Sequence, residues 1–232
     1  PSDISGLVAW WDPSDSSTVT LSGSDVTAIT NKVSGGKSLV TYNSVPPNIV
    51  IGGKNRKNIL NFATDDGLHT NGVLTQSTQV SIITAFDLDS DTQGVMFINN
   101  GSIWATAFGG TSTLIDSSSG TGQYYINGNS TAFAGGDNSS TTRDDLEALI
   151  SAGTGWNIMA ITGLNFSGWS SDFIFMRYPS TAYACHGLVA DLIVVPSNVL
   201  TADRQKLEGY LAHKWDLTAK LPSDHPYKIY GP

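Results

Sequence analysis

The sequence predicts an all-β fold, a jelly-roll sandwich with one C-terminal α-helix, and three observations carry that prediction. Short runs of β-branched and aromatic residues recur along the whole chain, parted by Gly, Pro, Asn and Asp turns about every 8–12 residues. Gly 24, Pro 9 and only 14% charged residues among 232 describe many turns and few solvated helices. One stretch alone is helical in period, with Leu207, Tyr210, Leu211 and Trp215 recurring at spacings of three and four. A chain of this length suits one sandwich over residues 1–232.

Leu7 to Trp11 reads as a buried strand that Asp12-Pro13-Ser14-Asp15 ends. Val19 to Ile29 reads as an edge hairpin around Gly23, and Asn31 to Gly53 as loop, broken by Gly35-Gly36 and Pro46-Pro47. Asn58 to Phe62 is a short strand before the turn Asp65-Asp66-Gly67. Val80 to Phe86 is β-branched and uncharged, as a central strand should be. Val95–Ile98, Ile103–Phe108, Ser112–Asp116 and Gln123–Asn127 continue the meander, with Asn127-Gly128 as a tight-turn pair. Arg143 to Ser151 reads as a brief helix with Leu146, Leu149 and Ile150 on one side. Trp156–Leu164, Asp172–Tyr178 and Gly187–Val195 supply three late strands. The C-terminal helix covers about 201–216, with Thr201 as N-cap and Asp203 in its positive first turn. Gly209 lets its backbone approach whatever lies beneath, and Pro222 and Pro226 leave residues 217–232 as an extended tail.

A net charge of −8 argues against a nucleic-acid partner, which needs clustered Lys and Arg; Lys54, Arg56 and Lys57 form the one basic cluster. No stretch approaches the roughly 20 apolar residues of a membrane span, so no membrane insertion is expected. The chain starts at Pro1 rather than Met, as a processed or excised piece does. Cys185 is the sole cysteine, so no intrachain disulfide forms. Its neighbour His186 should point to the opposite face, giving a buried thiol beside an exposed imidazole rather than a nucleophile with its base. Ser34-Gly35-Gly36-Lys37 matches Ser-x-x-Lys in form, but that motif needs a helical turn and Gly-Gly signals a loop. Retaining glycosidases need two carboxylates about 5 Å apart; the only glutamates are Glu147 and Glu208, both in helical segments, and no buried strand carries two Asp residues two apart that could substitute. The expectation is therefore of no enzyme.

Binding chemistry is left to aromatic and acidic residues. Trp169, Trp104, Tyr124 and Tyr183 are the candidates for stacking on sugar rings, Trp169 foremost because Ser167, Gly168, Ser170 and Ser171 flank it in a loop. Trp10, Trp156 and Trp215 are expected in the core. Asp87, Asp89 and Asp91 alternate at a strand end and are the candidate calcium ligands; no other cofactor is indicated. The loops expected to face a partner are 87–94, 117–122, 135–142 and 167–171.

Three segments carry a resemblance to a known family. Asp191-Leu192-Ile193-Val194-Val195, then Leu200-Thr201-Ala202-Asp203-Arg204-Gln205-Lys206-Leu207-Glu208-Gly209-Tyr210-Leu211-Ala212-His213-Lys214-Trp215, then Leu221-Pro222-Ser223-Asp224-His225-Pro226-Tyr227 form the most specific. Gly6 to Asp12 is the opening strand, and Tyr124-Tyr125-Ile126-Asn127-Gly128-Asn129 the central hairpin. Together they resemble concanavalin A-like (LamG-like) jelly-roll domains of bacteriophage structural proteins and secreted bacterial proteins. Asp216 stands where that family has Gly, and Asp tolerates the left-handed turn better than most residues. The resemblance implies a concanavalin A-like jelly-roll β-sandwich in which His213 and His225 hydrogen-bond the tail. It further implies a non-catalytic structural or adhesion protein at a virion surface (fibre, decoration or tail-associated). The partners would be other virion proteins or itself as a homo-oligomer, with weak binding of cell-surface glycans. A secreted, extracellular lectin or carbohydrate-binding module is the second reading, and a glycan-active enzyme a distant third.

Overall fold

The computed structural model describes residues 1–63, 65–89, 94–99, 104–108, 115–134, 142–150, 155–177 and 184–232. Its strands are β1 (Ala9–Trp11), β2 (Val19–Ser22), β3 (Asp25–Ile29), β4 (Leu39–Thr41), β5 (Asn48–Lys54), β6 (Lys57–Phe62), β7 (Leu68–Thr70) and β8 (Val80–Leu88). They continue as β9 (Gly94–Asn99), β10 (Trp104–Phe108), β11 (Gly120–Ile126), β12 (Asn129–Ala134), β13 (Asn157–Leu164), β14 (Phe173–Phe175) and β15 (Gly187–Val195). Two α-helices join them, α1 (Arg143–Ile150) and α2 (Thr201–Lys214). Neither is long and apolar enough to cross a membrane.

One antiparallel hydrogen-bond ladder runs β10-β9-β14-β7-β4-β3-β5-β6-β15-β8-β13-β11-β12, and it is folded on itself into two layers. The crossing point is thin, a single Cα pair Asp25↔Asn48 between β3 and β5. Rings from the two halves meet in between: Trp11 stacks on Phe173, and Phe62 meets Phe175 edge-on. At the far edge Tyr124 of β11 reaches across to β10, its hydroxyl 3.0 Å from Thr106 Oγ1 and 3.2 Å from the Ala105 carbonyl. β8 is buried from Val80 to Phe86 between β15 and β13, as its uncharged sequence predicts. Asn127 and Gly128 both take positive φ (53° and 83°), which is the geometry of the tight turn expected of that pair.

The sequence reading differs from the structure in several elements. Residues 31–53, read as loop, hold β4 and most of β5, because cross-strand pairing forms strands that local composition leaves open. In the region read as a strand at 112–116, Ile115 and Asp116 are not strand, and 112–114 lie outside the described residues. In α1, Leu146 and Ile150 are buried but Leu149 is 44% exposed, since the buried pair at i and i+4 fixes the facing side. Residues 217–232 are not extended: Thr218–Lys220 form a 3-10 turn, and Lys228 Nζ donates to the carbonyls of Thr218, Ala219 and Leu221 at 2.6–3.1 Å. Pro222 and Pro226 stop α2 without forbidding turns.

Helix α2 covers the outer face of the β15-β8-β13 layer. Leu207, Leu211 and Trp215 bury against Ile83, Ala85, Ile158, Ala160 and Ile193. Leu200, not Thr201, occupies the N-cap and makes no side-chain cap bond, so packing rather than capping holds the start of the helix. Asp216 takes φ 56°, the left-handed stop expected of it. Gly209 is needed for closeness, because a Cβ there would collide with the Tyr227 side chain. The tail crosses at that point: His213 Nε2 lies 2.9 Å from the Tyr227 carbonyl, and His225 Nε2 lies 3.3 Å from Glu208 Oε2.

Candidate functional site

The structure moves the leading sugar-stacking candidates inside. Trp169 is 2% exposed, stacked on Phe166 with ring centroids 3.6 Å apart and its indole N–H donating to Ser119 Oγ at 3.3 Å. Its loop is polar, but the ring folds back under that loop as a plug for the sandwich end and presents no face to a sugar. Tyr124 is the buried strut described above, and burial pushes its phenol pKa up. Trp104 opens β10 with its Cα paired to Ile98. Tyr183, Asp91 and the side chain of Trp104 lie outside the described residues. Asp87 ends β8 half-buried, its carboxyl pushed up by burial and then by nearby Asp89, which is itself exposed. Cys185 is buried and its thiol pushed up by that burial, while His186 is half-exposed.

Among the described residues, the densest charged cluster lies under α2. A β-bulge between Val189 and Leu192 turns both Ala190 and Asp191 toward the helix. The Asp191 carboxylate, fully buried, accepts from Trp10 Nε1 at 2.7 Å and Trp215 Nε1 at 2.6 Å. Lys214 Nζ bridges it to Asp12, at 2.8 Å and 2.6 Å. Burial pushes Asp191 up against the pull of Lys214. Burial acts the same way on Asp12, but there Lys214, Ser14 and Lys32 together hold the carboxyl below its usual range. Every group is engaged by another, so the arrangement clamps helix to sheet rather than offering atoms to a ligand.

An open groove of about 310 Å³ lies at one end of the sandwich, between Leu7 and Val8 before β1, the turn 33–37 before β4, and Leu74 after β7. Asn31 organises it. Its amide nitrogen donates to the carbonyls of Val8 (3.0 Å) and Lys37 (3.1 Å), and its carbonyl oxygen accepts from the backbone of Trp10 and Val33. The Trp11 indole adds a 3.0 Å bond to the Lys37 carbonyl, tying the turn to the core. Lys37 Nζ reaches over to the Asn71 carbonyl at 3.0 Å. The Gly72 N–H in turn donates to Asp172, whose other oxygen holds His69 Nδ1 at 2.7 Å. The groove is thus preformed, lined by the apolar residues Leu7, Val8, Val33 and Leu74 and by the polar residues Ser34 and Lys37.

Gly36 is where this order is most easily upset, since a Cβ there would collide with the Asn31 amide. Gly36→Ala should therefore displace Asn31 and cost about 1–3 kcal/mol as local overpacking. Chemical denaturation with amide shifts at Trp10 and Val33, whose N–H groups donate to Asn31, checks this; unmoved shifts and an unchanged midpoint would contradict it. Sequence reading missed the groove because its parts are far apart in the chain, and the Gly-Gly pair in its turn reads only as a breaker.

No protein-family model matches the sequence, and no curated protein sequence matches it either. Among solved structures, domain 4 of AbnA, a GH43 extracellular arabinanase from Geobacillus stearothermophilus solved in complex with arabinotriose, superposes with a TM-score of 0.53. The match is 12% identical and covers 87% of this chain and 98% of that one. The fold is a jelly-roll β-sandwich. Looser matches are the CBM22-1 xylan-binding domain of Paenibacillus barcinonensis Xyn10C (TM-score 0.36, 8% identity, 82% and 93% covered) and a CBM35 from the same organism (0.27, 13%, 80% and 97%).

Proposed function

We propose that the chain is a non-catalytic carbohydrate-binding domain acting outside the cell, with the groove at residues 7–8, 33–37 and 74 as its sugar seat. The observation that carries this reading is the preformed groove in a sandwich whose fold is shared with a domain solved with arabinotriose. Its volume is at the lower end of ligand pockets, about 300–1,000 Å³, and suits one or two sugar rings rather than a deep cofactor. The absence of catalysis is supported by the two glutamates. Glu147 sits in α1, and Glu208 is fully buried with Arg204 Nη1 at 2.5 Å and 2.7 Å from its two oxygens. The virion reading keeps only the family resemblance of three sequence segments as support, so the carbohydrate-binding alternative takes its place.

Titration calorimetry with arabino-, xylo- and cello-oligosaccharides tests the proposal. The expected result is monovalent binding between micromolar and millimolar, about −8 to −4 kcal/mol, without release of reducing sugar. No binding to any glycan, by the monomer or by an artificially multimerised form, would sink it.

A further inference from the structure

The groove's one charge indicates which sugars it takes. Of the eight residues that line it, Lys37 alone is charged, although the chain as a whole carries −8. A cation at a shallow site on an acidic protein attracts carboxylates selectively, because the surrounding negative surface repels them elsewhere. Lys37 is also placed for contact. Its main chain is held by Trp11 and Asn31, and its ammonium donates to the Asn71 carbonyl. A lysine ammonium has three donors, so two remain for a guest. The walls of Leu7, Val8, Val33 and Leu74 offer an apolar surface of the kind a sugar ring's C–H face covers.

We propose that the groove binds an acidic glycan, a uronic-acid residue whose ring lies on these apolar walls and whose carboxylate accepts a charge-assisted hydrogen bond from Lys37. The inference rests on the carbohydrate-binding reading and narrows it to a substrate class. Trigalacturonate, neutral arabinotriose and a tri-glutamate peptide are the probes, measured by calorimetry and by methyl shifts of Leu7, Val33 and Leu74. The wild type should bind trigalacturonate about tenfold more tightly than arabinotriose, and tri-glutamate should bind no better than arabinotriose. Lys37→Gln should erase that preference and Lys37→Arg should keep it. Raising the salt should weaken trigalacturonate alone. Equal affinity for the two sugars, a preference that survives Lys37→Gln, or silent methyls would overturn the inference while leaving carbohydrate binding intact. Tri-glutamate binding as tightly as trigalacturonate would overturn it as well, since the groove would then read charge without the ring. If no saccharide binds at all, both the inference and the broader function fall.

Discussion

Asp191→Ala is expected to destabilise the fold by about 3–5 kcal/mol, the cost of breaking a buried ion pair from one side. The carboxylate is fully buried and serves two indole N–H groups and the Lys214 ammonium at once. Removing it strands those donors where water has little access. Lys214 keeps Asp12 at 2.6 Å and the Trp10 indole keeps the Tyr210 hydroxyl, which limits the loss on their side, but the Trp215 indole donates into the Asp191 carboxylate at 2.6 Å and loses that acceptor. Against a total stability of roughly 5–15 kcal/mol, such a loss brings the domain near its unfolding threshold. Urea denaturation followed by tryptophan fluorescence reads the effect directly. Asp191→Asn, which keeps one acceptor oxygen and adds unwanted donors, should fall between wild type and Ala. A midpoint unchanged in Asp191→Ala would mean that α2 is held by its apolar stripe alone.

Trp169→Ala should cost a similar amount, about 3–5 kcal/mol, by leaving a large void beside Phe166 and Phe173. This variant separates two roles that the sequence could not. As a sugar platform, the ring's loss would abolish binding and spare stability. As a core plug, its loss lowers the melting temperature while the groove, formed by other loops, still binds at low temperature. Calorimetric melting and a glycan titration on the same sample distinguish the two outcomes. A stable variant that no longer binds would return Trp169 to the sugar-binding surface.

The contrast between Trp169 and Trp215 shows where a sequence is legible. Trp215 lies on a helical stripe with Leu207 and Leu211, so period alone places it under the helix, and there it is. Trp169 sits among Ser and Gly, which report that the backbone is a turn but say nothing about which way one ring points. Strand β8 was readable for the same reason as Trp215, because a long uncharged β-branched run has few other places to go. The bulge at Ala190–Asp191 leaves no mark in composition, so the strand around Asp191 was legible but its aim toward the helix was not. The groove lay further out of reach. Asn31 joins segments around residues 8 and 37, and such long-range hydrogen bonds depend on which strands become neighbours. No local pattern encodes that choice.

The pairing of β1 with β15 governs when the protein can become itself. Ala9 is matched with Val194 and Trp11 with Leu192, so nearly the whole chain must exist before the opening strand finds its place. During synthesis that strand emerges before strands β2 to β15 and waits, apolar and unpaired, while they are made. Such high contact order slows folding and lengthens the interval in which bare edges can meet other chains. β15 is then joined on one flank by β8 and on the other by β6 and β1 in succession, which makes its arrival the step that commits all three. Nascent chains stalled short of residue 187 would therefore carry β8 with one flank open, and they are the species a chaperone would be expected to hold.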